Sequence, residues 1–249
     1  PGAVLLASEL LAKGTYEEEG IGSLILVDIG GATTDIHSAL PELDKLSIEE
    51  RGLVINNEKQ FSYRTVEGNL GLRVSATGIP EAVGPKAVLR AMDMESGLTP
   101  DDVLDFAQKL EDHPDYIPQG EVEQSLERGL ATCAINTALR RHAGHYIEKA
   151  DPIMGLLAGA AVGRDLRNVE RVLCVGGIFV HADPDKAEDM VRRCFTEPGI
   201  SLLPLYEPQV ILDRSYLLYA MGVLGKHYPD AALRFLKTYV DREATLTAK

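Results

Sequence analysis

The stretch DIGGATTD, residues 28–35, directly follows the apolar run SLILV of residues 23–27. An almost wholly apolar segment bounded by glycines, here Ile21–Val27, is typical of a strand that is buried on both faces. Two glycines after such a strand allow a tight turn and leave backbone amides open to an anion, because no side chain covers them. The sequence therefore predicts a buried strand whose end can bind a negatively charged ligand.

The same turn carries two hydroxyls and two carboxylates. Thr33 and Thr34 add hydrogen-bond donors. Asp28 and Asp35 repel a bare phosphate but can hold a hydrated Mg²⁺ that bridges to it. This combination suits a complex of a nucleotide with a metal ion. The alternative interpretation is an ordinary hairpin turn, in which Asp35 only caps its own backbone.

A second apolar run, VLCVGG at residues 172–177, also ends in two glycines, Gly176 and Gly177. Taken alone, this turn is a weaker signal than the first. The two turns lie roughly 150 residues apart and close similar strands, and this favours a cleft that both loops contact. His37 and His181 each follow a glycine turn and are candidates to face a phosphate, although a packed or solvated histidine is the more common case. We include neither in the predicted metal site.

Periodicity predicts an α/β domain, in which strands followed by helices occur twice and helices cover both faces of the sheet. The predicted strands are Ile21–Val27, Ala32–Leu40, Gln60–Val66, Arg171–Val175 and Ile200–Leu205, with a polar loop at 41–57. The predicted helices precede Gly14, begin at Thr99, span Glu121–Lys149 with Arg128, Arg140 and Arg141 on the exposed side, span 183–195 and Asp213–Leu224, and follow Pro229. Residues 79–120 are predicted to form a small, acidic helical insertion.

Composition excludes several classes of function. The chain has 249 residues, of which 38 are acidic and 25 basic, so its formal net charge is −13. It has no block of lysine or arginine, and nucleic acid and anionic membranes are therefore poor partners. No apolar stretch reaches the roughly 18 to 20 residues of a membrane span, and we expect a cytoplasmic protein. Cys133, Cys174 and Cys194 form no CxxC pair and are expected to be buried, reduced thiols.

DIGGATTD resembles the second phosphate motif, Asp-x-Gly-Gly-x-Thr-x-Asp, of the actin, Hsp70 and sugar-kinase ATPases. This resemblance implies a ribonuclease H-like, actin-like ATPase fold that binds ATP or ADP with Mg²⁺. It implies that Asp28 and Asp35 hold Mg²⁺ through water and that Gly30, Gly31 and Thr33 contact the phosphates. Gly176 and Gly177 resemble the adenosine motif of these ATPases, and Asp213 with Ala220-Met221-Gly222 is similar to a late helix that closes the nucleotide lobe.

Three blocks resemble one branch more specifically, the MutL/GlmL family: DIGGATTDIHS at 28–38, RTVEGNLGLRVSA at 64–76 and RRHAGHYIE at 140–148. Members of this family are accessory proteins of glutamate mutase and related cobalamin-dependent aminomutases. The resemblance implies an ATP-dependent reactivating chaperone whose partners are the subunits of such a mutase.

The chain departs from the superfamily pattern because no first phosphate motif precedes Ile21. We therefore expect residues 1–249 to be a single lobe, the second one of a longer protein, which pairs with an N-terminal lobe. ATPase activity would belong to the full-length protein, while this lobe alone would bind nucleotide weakly and hydrolyse little of it. The alternatives are a small-molecule kinase or hydantoinase-like enzyme on the same fold, and a non-catalytic scaffold.

Overall fold

The computed structural model describes residues 2–41, 54–55, 61–150, 152–153 and 155–247. The predicted polar loop at 41–57 lies almost wholly outside these residues. The helices are α1 Gly2–Lys13, α2 Gly78–Val83, α3 Pro85–Ala91, α4 Pro100–Asp112, α5 Gly120–His142, α6 Gly177–His181, α7 Pro184–Arg192, α8 Leu217–Leu224 and α9 Pro229–Thr247. The strands are β1 Leu24–Ile29, β2 Thr34–Ala39, β3 Val54–Ile55, β4 Ser62–Glu67, β5 His145–Tyr146, β6 Ala161–Val162, β7 Arg171–Val175 and β8 Gln209–Leu212.

Five strands form a mixed sheet in the order β4-β2-β1-β7-β8. The neighbours β1 and β2 are antiparallel, as are β2 and β4, whereas β1, β7 and β8 run parallel to one another. Because β1 and β7 are parallel neighbours, their carboxyl ends meet at one edge of the sheet. The short strands β3, β6 and β5 form a separate small sheet.

Helices cover both faces of the main sheet, as the sequence predicts. Side chains alternate along β1, so Ile25, Val27 and Ile29 join one buried cluster and Leu24 and Leu26 join another. Helices α5 and α7 pack on the first face, and α1, α8 and α9 pack on the second. Asp28 is the one residue of β1 that is not fully buried. This double coverage explains why the strand is almost wholly apolar.

Local signals place several helix ends correctly. Thr99 starts α4 with a capping box: its hydroxyl accepts from the backbone N–H of Asp102, whose carboxylate accepts from that of Thr99. Such a box satisfies amides that have no partner within the helix. Helix α1 is followed by Gly14 at φ 80°, the left-handed conformation that glycine adopts at helix ends.

Helices α2, α3 and α4 occupy the region of the predicted insertion. Ile79, Val88 and Phe106 belong to the same buried cluster as Ile25 of the sheet. These helices are therefore packed into the main core through α5. That residues 79–120 are an insertion into an ancestral lobe stays a prediction.

The predicted strand Ile200–Leu205 is wrong. Ser201–Pro204 is buried, but this segment makes only one isolated bridge, from Ser201 to His145. Leu202 N–H donates to Gly144 O at 2.7 Å, away from the main sheet. The second partner of β7, besides β1, is β8, which the sequence analysis missed. Proline interrupts the more apolar run and supplies no N–H, so the short segment after Pro208 forms the strand.

The long helix α5 is shorter than predicted, because it ends at His142 and β5 follows. Its predicted exposed side is also partly wrong. Arg128 is only 5% exposed, Arg140 is half-buried and Arg141 is exposed. The middle of α5 is buried on most sides, since α3 and α7 pack against it as well as the sheet.

The three cysteines are free and buried, as expected. Burial raises the pKa of Cys133 to about 11 and that of Cys194 to about 12, so both thiols stay protonated at neutral pH. Within the described part of the chain, no helix combines the length and the apolar character that crossing a bilayer requires.

Candidate functional site

The first glycine turn connects β1 to β2. The strands pair in register, with Asp28 opposite Asp35 and Ile29 opposite Thr34. The turn is closed by the Gly30 N–H, which donates to Thr33 O at 2.8 Å. The Gly30 amide is therefore engaged within the turn, and a contact of Gly30 with phosphate stays a prediction. The amides of Gly31, Ala32 and Thr33 donate to no other group in the described residues. Gly31 and Ala32 are also exposed, so their amides are the accessible free donors of this turn.

The second glycine turn touches the first. Val175, at the end of β7, pairs with Asp28 of β1. Gly176 follows at φ 141°, and a Cβ at this position would lie 2.2 Å from Ile29 O. No other residue fits here without moving the backbone. A Cβ on Gly177 would have only the Tyr216 hydroxyl nearby, at 3.5 Å. Gly176 thus permits close packing of the two turns, and Gly177 faces open space.

Both turns line one pocket of about 640 Å³. This volume lies within the range of small-molecule and cofactor sites, which often form at the carboxyl ends of parallel strands. Apolar walls come from β1, the segment before α5, and α6. The lining includes Ile29, Gly30, Gly31, Leu72, Ile117, Pro118, Gly177 and Ile178.

The charges that line this pocket balance one another. Its cations are Arg73, Arg128 and Lys186, and its carboxylates are Glu121, Glu127 and Asp183. Arg73 pairs with Glu127 at 2.6 Å. Glu121 accepts from both Arg128 and Lys186. The pocket therefore offers apolar surface and free backbone amides rather than an excess of positive charge.

Asp28 and Asp35 point to the other face of the sheet, at the same edge. Asp35 and His37 are two residues apart on β2, and Asp28 is the cross-strand partner of Asp35, so all three side chains share a face. Each offers an oxygen or nitrogen, and these ligand atoms all lie within 4.8 Å of one another. The structure therefore brings the two predicted metal ligands together and adds His37 to them.

Few hydrogen bonds satisfy this cluster. Asp35 is 2% exposed, and its Oδ2 accepts from Arg64 at 2.8 Å, but its Oδ1 has no partner within the described residues. Both ring nitrogens of the fully buried His37 also lack a partner there. Burial and the charge of Asp35 raise the pKa of Asp28 to about 6, and burial lowers the pKa of His37 to about 4.

The two carboxylates fit a magnesium ion in part. Mg²⁺ prefers oxygen ligands, and the unpartnered Oδ1 of Asp35 is an available donor. Asp28 is the partly exposed member of the pair, so it is accessible to an ion held through water. The imidazole of His37 is not a ligand that Mg²⁺ prefers.

Two predicted nucleotide contacts have structural partners instead. The buried Thr34 hydroxyl donates to Leu70 O at 2.6 Å. Asp213 is 1% exposed, and its carboxylate accepts from the N–H groups of Leu217 and Leu218 and from the Tyr239 hydroxyl. Asp213 thus caps α8, which begins four residues later than predicted. Neither side chain lines the pocket.

Sequence reasoning missed Arg73 and Tyr216. Arg73 lines the pocket beside Gly31, and it lies within the block at 64–76 that carries the family resemblance. Tyr216 adopts φ 53°, an uncommon conformation for a residue other than glycine. The Asp213 carboxylate stabilises this turn through the following amides, and the Tyr216 hydroxyl reaches the Gly177 turn. No sequence pattern indicates that conformation.

Comparison with known proteins shows the family to which this chain belongs. A family model described as "MutL protein" matches residues 1–240. The chain is also similar to "Protein MutL" of Clostridium tetanomorphum, to which it is 37% identical over 241 residues. That alignment covers 96% of this chain and 50% of the relative. The chain thus spans about half the length of the curated relative it matches.

Proposed function

Because this chain belongs to the MutL family, we propose that it is an ATP-binding lobe of a reactivating chaperone for a cobalamin-dependent aminomutase of the glutamate mutase type. The observation that supports this proposal is the contact between the two glycine turns, which border a single pocket. A turn that binds phosphate and a turn that packs against a nucleoside must lie side by side to hold one nucleotide.

The roles of the residues follow from their positions. The free amides of Gly31 and Ala32 donate to phosphate oxygens. Gly177 and Ile178 leave room for the nucleoside against the apolar wall that Leu72 helps to form. Asp28 and Asp35 hold Mg²⁺ at the same edge of the sheet, where the ion neutralises the negative charge of the phosphates. We assign Thr33 a supporting role, since its carbonyl closes the turn.

Charge balance explains why this lobe alone would bind weakly. A triphosphate is strongly anionic, whereas the cations of the pocket already pair with carboxylates of the chain. A second wall with additional donors, from the N-terminal lobe, would be required for tight binding and for hydrolysis. The full-length protein is therefore the ATPase, and this lobe binds ATP or ADP.

Nucleotide binding would act on the mutase through a change of conformation. A ligand shifts an equilibrium between two states only by its difference in affinity for them. ATP that bridges two lobes favours the closed state, and ADP favours it less, so hydrolysis would change the affinity for the mutase. The exposed acidic residues of α4, Asp101 and Asp105 among them, are our candidate for the surface that contacts the mutase.

Calorimetry on the full-length protein tests this proposal. We expect Mg·ADP binding to be lost in Gly177→Val, because the new side chain occupies open space in the pocket. Gly68→Val is the matched control, since Gly68 is exposed, has no atoms within 4 Å of its Cβ position and does not line the pocket. Unchanged binding in Gly177→Val would remove the site assignment. Substrate-dependent formation of ADP and a phosphorylated product, without any mutase, would favour a small-molecule kinase instead.

A further inference from the structure

In the part of the chain that the structure describes, one side-chain cluster contains buried atoms that could bind a metal ion but have no hydrogen-bond partner. Asp28, Asp35 and His37 lie on the face of the sheet that α1 covers. Their ligand atoms lie within 4.8 Å of one another. The antiparallel pairing of β1 with β2 fixes this arrangement, because Asp28 lies opposite Asp35 and His37 is the next residue of β2 on that face.

The buried atoms of this cluster point to a missing ligand. A buried polar atom without a hydrogen bond destabilises the fold, and native proteins keep few of them. Among the described residues, three potential ligand atoms of this kind occur together, namely Oδ1 of Asp35 and both ring nitrogens of His37, and Nε of the adjacent Arg64 is a fourth buried atom without a partner. Arg64 satisfies only the other oxygen of Asp35. A cation between the three side chains would satisfy one atom of each residue.

We infer that Asp28, Asp35 and His37 form an inner-sphere site for a divalent first-row transition-metal ion, such as Mn²⁺, Fe²⁺, Co²⁺ or Zn²⁺. Imidazole nitrogen together with carboxylate oxygen suits these ions, whereas Mg²⁺ prefers oxygen alone. The site shares Asp28 and Asp35 with the proposed nucleotide site, but it does not need a nucleotide.

The surroundings are consistent with such a site. Metal–ligand distances of about 2.0 to 2.2 Å require ligand atoms within about 4.4 Å of one another, and the three ligand atoms already lie within 4.8 Å, so at most a small side-chain movement is needed. Asp28 is the partly exposed member, and rotation of its side chain would close the site and provide the entry path. Arg64 holds the orientation of Asp35 from outside, while its positive charge moderates the affinity for the ion.

Metal titration of chelator-treated full-length protein tests this inference. We expect one Co²⁺ per chain, with an affinity at least about tenfold above that for Mg²⁺, and visible absorption bands of Co²⁺ that change on binding. His37→Gln should lower the Co²⁺ affinity by about 100-fold or more, because it removes a direct ligand. His113→Gln, at an exposed histidine, is the matched control. Equal affinities for Co²⁺ and Mg²⁺, or full Co²⁺ binding by His37→Gln, would overturn the site.

Thermal unfolding separates loss of the site from loss of the fold. Co²⁺ should raise the Tm of the wild type, since a ligand that binds only the folded state stabilises it. His37→Phe should fold, because it replaces unpaired buried nitrogens by apolar atoms, and Co²⁺ should not raise its Tm. An equal rise in this variant would contradict the inference.

The proposals of a nucleotide site and of a metal site can be tested independently of each other. Gly177→Val should lose Mg·ADP but keep Co²⁺, because Gly177 lies in the pocket on the other face of the sheet. If Gly177→Val keeps both ligands, the proposed function fails while the metal site stands. If His37→Gln keeps Co²⁺ while Gly177→Val loses Mg·ADP, the metal site fails and the proposed function stands.

Discussion

Two acidic clusters, one around Asp93 and one around Asp28 and Asp35, differ in how many donors surround them. In the first, Arg128 donates to Asp93 through Nε at 2.6 Å and Nη2 at 3.0 Å, and the Ser125 hydroxyl also donates to this carboxylate. In the second, Asp28 and Asp35 face each other with Arg64 as the cation that pairs with Asp35.

The pKa values follow this difference. Burial opposes ionisation of Asp93, but the hydrogen bonds from Arg128 and Ser125 outweigh it and lower its pKa to about 2. Burial and a second carboxylate raise the pKa of Asp28 to about 6. The same residue type is thus stabilised as an anion in one cluster and destabilised in the other. The first cluster therefore stabilises the fold, whereas the second keeps buried atoms without a partner among the described residues, which is the observation behind our proposed metal site.

The largest expected change in stability is in the cluster around Asp93, whose carboxylate accepts several hydrogen bonds. Arg128→Met leaves the partly buried Asp93 without its cation, and the loss of two hydrogen bonds between charged groups costs about 3 kcal/mol in the free energy of unfolding. Urea unfolding measures this change. The control, Arg90→Met, alters an exposed arginine and should change stability by less than about 0.5 kcal/mol. Equal stabilities of the two variants would show that Arg128 contributes only packing.

In the cluster of Asp28 and Asp35, Asp28→Asn should have the opposite effect and increase the free energy of unfolding. A pKa raised from 3.8 to about 6 means that the ionised carboxylate destabilises the fold at pH 8 by up to about 3 kcal/mol. We expect Asn to remove this penalty in the presence of a chelator. Thermal unfolding of Asp28→Asn, with the exposed Asp105→Asn as control, measures the gain. A lower Tm in Asp28→Asn would mean that Asp28 has a stabilising partner as an anion.

The two clusters should respond to pH in different windows. The lowered pKa of Asp93 contributes stability that is present above about pH 4 and is lost as the pH falls towards 2. The raised pKa of Asp28 imposes a penalty that is absent below about pH 4 and complete above about pH 6. Tm values of the wild type and of Asp93→Asn should therefore converge between pH 4 and pH 2. A constant difference across that range would contradict the assignment.

The smallest expected effect is that of Ser125→Ala, about 1 kcal/mol. This variant removes one neutral donor from Asp93, while both hydrogen bonds from Arg128 remain. A double-mutant cycle in urea with Arg128→Met measures whether the two donors act together. A loss as large as that of Arg128→Met would show that Ser125, rather than the cation, stabilises the carboxylate.

Much of the fold could be predicted from local pattern. The apolar run before DIGGATTD predicts β1 to within a few residues, and the capping box at Thr99 gives the start of α4. The prediction of strands failed where strand formation depends on pairing with residues that are distant in the sequence. The run Ile200–Leu205 is more apolar than β8, yet β8 pairs with β7. Local hydrophobicity indicates which segment is buried, but it does not indicate which segment forms backbone hydrogen bonds with a neighbouring strand.

The candidate site divides in the same way. Residue types and spacing were sufficient to predict two glycine turns, two carboxylates and a cleft between the turns. They could not show that Gly30 uses its amide to close the turn, or that Asp213 caps α8. The sequence analysis left His37 out of the predicted metal site, although its spacing of two from Asp35 on a strand places both side chains on one face.

The sequence by itself determined the local chemistry of this protein: where strands turn and which residues carry charge. The tertiary structure decided how those groups are combined. Parallel pairing of β1 with β7 brings the Gly176 turn against Ile29, and antiparallel pairing with β2 sets Asp28 against Asp35. The reason is physical, because hydrogen bonds and charges act over a few ångströms and only chain packing brings distant residues within that range.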